Sequence, residues 1–246
     1  TIVQTGTLEQ YENIKDFKDP KEILMGVHGV GSVKAKELIS RGMKNIDDLK
    51  NCEKIDEYLN DVQMKGLKWY DDIQHHIPYE WISMHEKYLK DILFSIDESS
   101  ELTIAGSYRR KCNNSGDIDV LINTPSIRNN SIYNAFMDEL FKREYMVEEL
   151  SRGPKKFMGI CKLNKDDIGI RIDIMYTKPQ EYPFAIMYFT GSMEFNVKMR
   201  SELLKKGLSL NEYGIKRDKK NVKHDCKTEK EAFKYLGYDY VEPENR

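Results

Sequence analysis

The chain has 246 residues, 39% of them hydrophobic and 33% charged, with 39 Lys and Arg against 41 Asp and Glu. That is enough for a sizeable core or several small subdomains, and no apolar run approaches the roughly 20 residues of a membrane-crossing helix. A formal net charge of −2 argues against indiscriminate binding to nucleic acid, so any such contact must come from local basic faces such as Arg109 to Lys111, Arg152 to Lys156 and Lys216 to Lys223.

Up to Lys21 the sequence is polar, with weak helical spacing at Leu8, Tyr11 and Ile14, and reads as a lead-in. From Ile23 to Ile39, Gly29-Val30-Gly31 divides a short apolar helix from a longer one, predicted to turn Val33, Leu38 and Ile39 inward. Glycines allow a tight turn, and the second helix then offers its free N–H groups to a phosphate, as in a helix-hairpin-helix. Gly-x-Gly alone fits any tight helix–helix turn equally well. Asn45 to Ile73 is helical but interrupted, and His75-His76-Ile77-Pro78 breaks it. Neighbouring side chains diverge, so the two histidines are expected to be exposed rather than joint metal ligands. Trp81 to Asp97 predicts a helix whose stripe of Leu89, Ile92, Leu93 and Ile96 is core packing. The four cysteines, Cys52, Cys112, Cys161 and Cys226, lack zinc-ligand spacing and are expected to be reduced thiols in an intracellular protein.

The chemistry concentrates further on. A Gly106-Ser107 turn and three cations, Arg109 to Lys111, precede the strand-like Asp117-Ile118-Asp119-Val120. Strand alternation puts Asp117 and Asp119 on one face. In Ile168 to Met175 the isoleucines fill one face, leaving Arg171, Asp173 and Met175 on the other. If the two strands are neighbours, the three carboxylates converge into an all-oxygen site suited to Mg²⁺ or Mn²⁺. The Gly-Ser turn and Arg110 then read as triphosphate ligands, the layout of a two-metal nucleotidyl transferase. Between the strands, Pro125 to Asn130 reads as a loop and Ile132, Ala135, Phe136 and Leu140 mark an amphipathic helix. Phe157 to Leu163 and Ile168 to Tyr176 read as strands joined by the turn Asn164 to Asp167. Past Pro179 a small α/β module follows, ending from Thr228 in a helix and a terminal strand or turn.

Gly106-Ser107, Arg110, Asp117-Ile118-Asp119, Arg171-Ile172-Asp173 and Tyr188-Phe189-Thr190-Gly191-Ser192, with the hairpin upstream, resemble the family X DNA polymerases, most of all the DNA polymerase beta type. The resemblance implies an α+β chain: a helix-hairpin-helix subdomain with its lead-in over residues 1–78, a nucleotidyltransferase palm over 79–179 and a nucleotide-binding subdomain over 180–246. It implies template-dependent addition of deoxynucleotides to a primer 3′-OH, filling short gaps in DNA repair. Asp117, Asp119 and Asp173 would be catalytic and hold two Mg²⁺, replaceable by Mn²⁺. Nucleotide contacts would fall at Gly106, Ser107, Arg110, Ser115, Gly116, Tyr188, Phe189, Gly191, Asn196 and His76. DNA contacts would fall at Gly29, Gly31, Lys34, Lys156, Arg171 and Arg200, with Na⁺ or K⁺ on the hairpin carbonyls of Met25, Val27 and Val30. The implied partners are gapped or primer–template DNA and deoxynucleoside triphosphates, with the chain a monomer in the nucleus or whichever compartment holds the DNA.

Some features depart from the pattern. Little chain precedes Ile23, so the lysine-rich lyase domain of the beta type is not expected. The short Asn164 to Asp167 connection favours templated synthesis, since relatives that extend DNA without a template carry a long one. His76 stands where relatives have a phosphate-binding arginine, and Met193 and Val197 replace polar or small residues. Met175 stands where beta-type relatives carry an arginine that exchanges between the carboxylates matching Asp119 and Glu212, so Glu212 is expected to have lost its switching partner. The rival readings are a template-independent nucleotidyl transferase and a non-catalytic DNA-end binding module. Against the second, three clustered carboxylates are costly to maintain without a metal.

Overall fold

The computed structural model describes residues 19–125 and 131–246; the spacing at Leu8, Tyr11 and Ile14 and most of the 125–130 loop lie outside them. The chain divides into two compact units, Thr1–Asp71 and Asp72–Arg246.

In the first unit the helices are α1 (Pro20–Met25), α2 (Ser32–Ser40), α3 (Ile46–Lys50), α4 (Ile55–Tyr58) and α5 (Asp61–Lys68). Asp19 starts α1 by accepting the Lys21 N–H at 2.9 Å, with Pro20 at the first helical position. Gly29 turns the chain at φ +84°, and its carbonyl accepts a hydrogen bond from Gln63 Nε2 at 2.9 Å. One helical turn on, Gly66 lies so close to the His28 backbone that a Cβ there would overlap the His28 carbonyl oxygen, so α5 carries a glycine despite its poor helix propensity. Leu24, Val27, Ala35, Leu38, Leu49 and Leu67 form the core. The expected inward Val33 is instead 84% exposed. Because α2 begins at Ser32, the i, i+3 pair Ala35 and Leu38 faces inward, and Val33 falls on the outside of the first turn.

The second unit opens with β1 (Ile77–Pro78), α6 (Tyr79–Ile96), β2 (Glu101–Ile104), α7 (Gly106–Arg109), β3 (Asn114–Ser115) and β4 (Ile118–Asn123). It continues with α8 (Ser131–Lys142), β5 (Met146–Arg152), β6 (Lys156–Cys161) and β7 (Ile170–Thr177). The last module comprises α9 (Tyr182–Thr190), α10 (Met193–Lys205), β8 (Leu208–Asn211), β9 (Gly214–Arg217), β10 (Lys220–Asn221) and α11 (Glu229–Leu236), ending in a 3₁₀ turn, Pro243–Asn245. A mixed sheet, ordered β2-β4-β7-β6-β5, organises the unit; only the β4–β7 pair is parallel. Its isoleucine face, Ile118 and Ile122 on β4 with Ile170, Ile172 and Ile174 on β7, packs in one core with Leu89 and Leu93 of α6 and with α8. In α8 the buried set is Tyr133, Phe136, Met137 and Leu140, and the expected inward Ala135 is exposed. Two bulkier side chains set the phase of the helix, because they remove more apolar area from water than one methyl. Leu121 and Met175 lie in a separate cluster with Ala105, Ala185 and Ile186, so α9 crosses the opposite face of the sheet. The last module has its own core of Phe184, Met187, Met199, Leu203, Ile215 and Phe233. A buried carboxylate ties it to the turn after β2: Glu229 accepts from Arg109 at 2.8 and 3.2 Å and from Arg246, whose side chain is fully buried, at 2.6 Å.

Candidate metal and nucleotide site

The parallel β4–β7 ladder sets Asp119 directly beside Asp173, and Asp117 immediately precedes β4. One oxygen from each of the three carboxylates lies within 4.8 Å of the others. Burial, reinforced by the Asp173 charge, pushes Asp119 up to about 7, with the Arg110 guanidinium pulling the other way. Arg171 forms an ion pair with Asp117 and lies 3.8 Å from Asp173. Three hard oxygen donors at this spacing suit a divalent cation, whose charge offsets the repulsion between them. The backbone of Gly106 (φ +56°) lies against Asp119, and a Cβ there would overlap Asp119 Oδ2. The close approach of this turn to Asp119 thus requires glycine.

Two short connections flank the triad. Ser107 Oγ donates to Ser115 Oγ at 2.7 Å, and β3 pairs with β1 so that Ser115 faces Ile77. Gly106, Ser107, Ser115 and Gly116 therefore gather beside Asp117, with His76 exposed one residue before Ile77. Arg110 Nη1 donates to the Thr190 carbonyl at 2.6 Å, joining this turn to the end of α9. There Asn196 Nδ2 donates to the Tyr188 carbonyl at 2.7 Å, and the Arg200 guanidinium lies 5.8 Å from the Tyr188 ring centre. Tyr188, Phe189, Gly191, Asn196 and Arg200 thus form one group at the α9–α10 junction. Met193 and Val197 are solvent-exposed on α10.

The hairpin residues lie in the first unit. Met25 ends α1, the Val30 N–H donates to the Val27 carbonyl at 3.0 Å, Gly31 caps α2 without a side-chain bond, and Lys34 engages Glu37 at 3.0 Å.

Glu212 meets a different cation, one that sequence reasoning did not foresee: Lys156 Nζ donates to its Oε1 at 2.6 Å. Met175 is buried, and the cation comes instead from the neighbouring strand, where Lys156 stands opposite Met175 in the β6–β7 register. Sequence reasoning also missed the Arg109–Glu229 pair. Its partners are 120 residues apart and those of Lys156–Glu212 are 56 apart, so no local spacing signals either pair.

Comparison with known proteins gives the same order of parts. The fingers domain of DNA polymerase lambda matches residues 22–74, the DNA polymerase beta palm 76–179 and the DNA polymerase beta thumb 185–246. The chain belongs to the family X DNA polymerases. The carboxylate triad lies within the family X palm match, and Tyr188 to Arg200 within the thumb match. DNA polymerase lambda of Rattus norvegicus is 29% identical over 262 residues, covering 100% of this chain and 45% of the relative. DNA polymerase lambda of Arabidopsis thaliana is 26% identical over 268 residues, covering 100% and 50%. DNA nucleotidylexotransferase of Xenopus laevis is 26% identical over 283 residues, covering 100% and 54%. This family X chain therefore spans about half the length of the curated relatives it matches. Among the described residues no helix is long and apolar enough to cross a membrane.

Proposed function

We propose that the chain is the core of a template-dependent DNA polymerase that adds deoxynucleotides to a primer 3′-OH and fills short gaps during repair, in the nucleus or another DNA-holding compartment. The convergence of Asp117, Asp119 and Asp173 beside the Gly106-Ser107 turn carries this reading. In it the hairpin subdomain spans residues 1–78, the palm 79–179 and the nucleotide-binding subdomain 180–246, and the chain acts as a monomer. The three aspartates would hold Mg²⁺, replaceable by Mn²⁺, which when bound acidifies a hydroxyl and screens phosphate charge. An Asp173 carboxylate oxygen accepts the primer 3′-OH proton. Ser107 and Arg110, with the backbone at Gly106, Ser115 and Gly116, hold the phosphates that leave, and His76 lies within the same group. The Tyr188-Phe189 backbone and Gly191 crowd the sugar 2′ position. Asn196 tests the minor-groove edge of the incoming base and Arg200 the template strand, checking pair geometry rather than sequence. Arg171 steadies Asp117 and Asp173 and faces the DNA. Gly29, Gly31 and Lys34 grip a DNA phosphate, with Na⁺ or K⁺ on the carbonyls of Met25, Val27 and Val30. The likeness to a nucleotidylexotransferase keeps template-independent extension as the second reading. Extension of a single-stranded primer is compared with extension of a gapped duplex carrying the same 3′ end. Templated synthesis predicts strong preference for the gap and for the complementary nucleotide; equal extension of both favours the second reading.

A further inference from the structure

We propose that Lys156 and Glu212 form a clasp between palm and nucleotide-binding module, making Lys156 a positioning residue for the incoming nucleotide rather than a ligand of DNA phosphate. The inference rests on the polymerase reading above and adds a residue to it.

The clasp follows from register. Residues directly opposite on antiparallel strands point to the same side of a sheet, so Lys156 and Met175 share the face that α9 crosses. Met175 stays in the apolar cluster with Leu121, Ala185 and Ile186. Lys156, at the start of β6, reaches Glu212 in the β8–β9 turn at 2.6 Å. Its ammonium also lies 5.8 Å from the Phe189 ring and 5.6 Å from the Tyr213 ring. Burial raises the Glu212 carboxyl, but the hydrogen bond from Lys156, with further help from the Lys156 and Arg200 charges, holds it below the usual carboxylate range. One carboxylate thus connects β6 to the β8–β9 turn, and β8 packs through Leu210 in one core with Met199 and Leu203 of α10, the helix that carries Asn196 and Arg200. The adjacent Lys155 grips Glu181, just before α9, at 2.8 and 2.9 Å. The Lys156 side chain is 44% exposed, but its ammonium is already paired with a carboxylate that is only 15% exposed, so a DNA phosphate would have to compete with Glu212 for its charge. Loss of either partner leaves the other partly buried without its counter-charge, and loosens the β8–β9 end of the module that positions the nucleotide.

The test uses the unaltered chain, Lys156→Ala, Glu212→Ala, the double variant, Lys156→Arg, and the exchange Lys156→Glu with Glu212→Lys. Single-nucleotide insertion into a one-nucleotide gap gives kcat and KM; fluorescence anisotropy gives gapped-DNA affinity. The clasp predicts that each alanine raises the KM for the correct nucleotide about fivefold, as expected for a partly exposed pair, with kcat within about twofold and DNA affinity unchanged. The double variant is then no worse than either single, and Lys156→Arg or the exchange recovers most of the loss. Weaker DNA binding by Lys156→Ala but not by Glu212→Ala, or multiplying effects in the double variant, overturns the proposal. If the unaltered chain inserts no nucleotide, the polymerase reading fails instead. Urea unfolding of the same variants then decides the clasp: coupled losses support it and additive losses reject it.

Discussion

Substituting Gly106 tests how tightly the backbone and the metal site are built together. At φ +56° an alanine costs about 1 kcal/mol in the left-handed region. Its Cβ would also take the place of Asp119 Oδ2, so the carboxylate must leave its rotamer, at about 1 kcal/mol, or the turn must move. Gly106→Ala should therefore lower unfolding stability by about 2 kcal/mol. The larger effect falls on chemistry, because displacing a reacting group by about 1 Å costs on the order of a hundredfold in rate. Single-turnover insertion should drop by that factor, and Mn²⁺ affinity, read by electron paramagnetic resonance without DNA, should weaken in parallel. Gly153→Ala is the control, since its Cβ meets only the Lys156 carbonyl oxygen at 3.6 Å, an ordinary contact. If Gly106→Ala inserts nucleotide within about threefold of the unaltered chain and binds Mn²⁺ equally, the described approach of Gly106 to Asp119 is wrong.

Two further expectations concern stability. Burial pulls His85 from the ordinary 6.5 down to about 4, and its Nδ1 lies 2.7 Å from the Tyr145 hydroxyl. The folded pKa lies below the unfolded one, so His85's contribution is complete above about pH 6.5 and is lost as pH falls toward 4; about 2 kcal/mol should disappear between pH 7 and 5. Urea titrations of the unaltered chain and His85→Gln check this, and parallel pH profiles for the two would refute it. Glu229→Ala strands Arg109 and the fully buried Arg246 side chain and should cost about 3 to 5 kcal/mol by thermal unfolding, whereas a loss below about 1 kcal/mol would mean the network contributes little.

The carboxylate site was legible because strand alternation is a local rule: it put Asp117 with Asp119 and turned Asp173 away from the isoleucines. That β4 and β7 are adjacent is a matter of topology, which alternation cannot supply and the family's motif order could. Helix phase was less secure, as Val33 and Ala135 show. Each is apolar, but the bulkier or better-spaced neighbours Leu38, Phe136 and Met137 decide which face turns inward. Strand β5 went unread because its pairing with β6 shifts register twice, between Met146 and Glu148 and between Glu149 and Ser151, which breaks the two-residue period a strand shows in sequence. The Lys156–Glu212 and Arg109–Glu229 pairs depend on how the last module docks against the palm, so residue types alone gave no sign of them.

In the proposed function three converging aspartates drive templated synthesis. Insertion of each of the four deoxynucleotides into a one-nucleotide gap, with Mg²⁺, tests it most directly in the unaltered chain, Asp119→Ala and Asp173→Ala. The unaltered chain should insert the nucleotide complementary to the template base. Both variants should lose at least about a thousandfold in insertion rate, since each lacks one of the carboxylates that place the metal, while binding gapped DNA almost as before. Insertion without regard to the template base, or substantial turnover by Asp119→Ala, would contradict it.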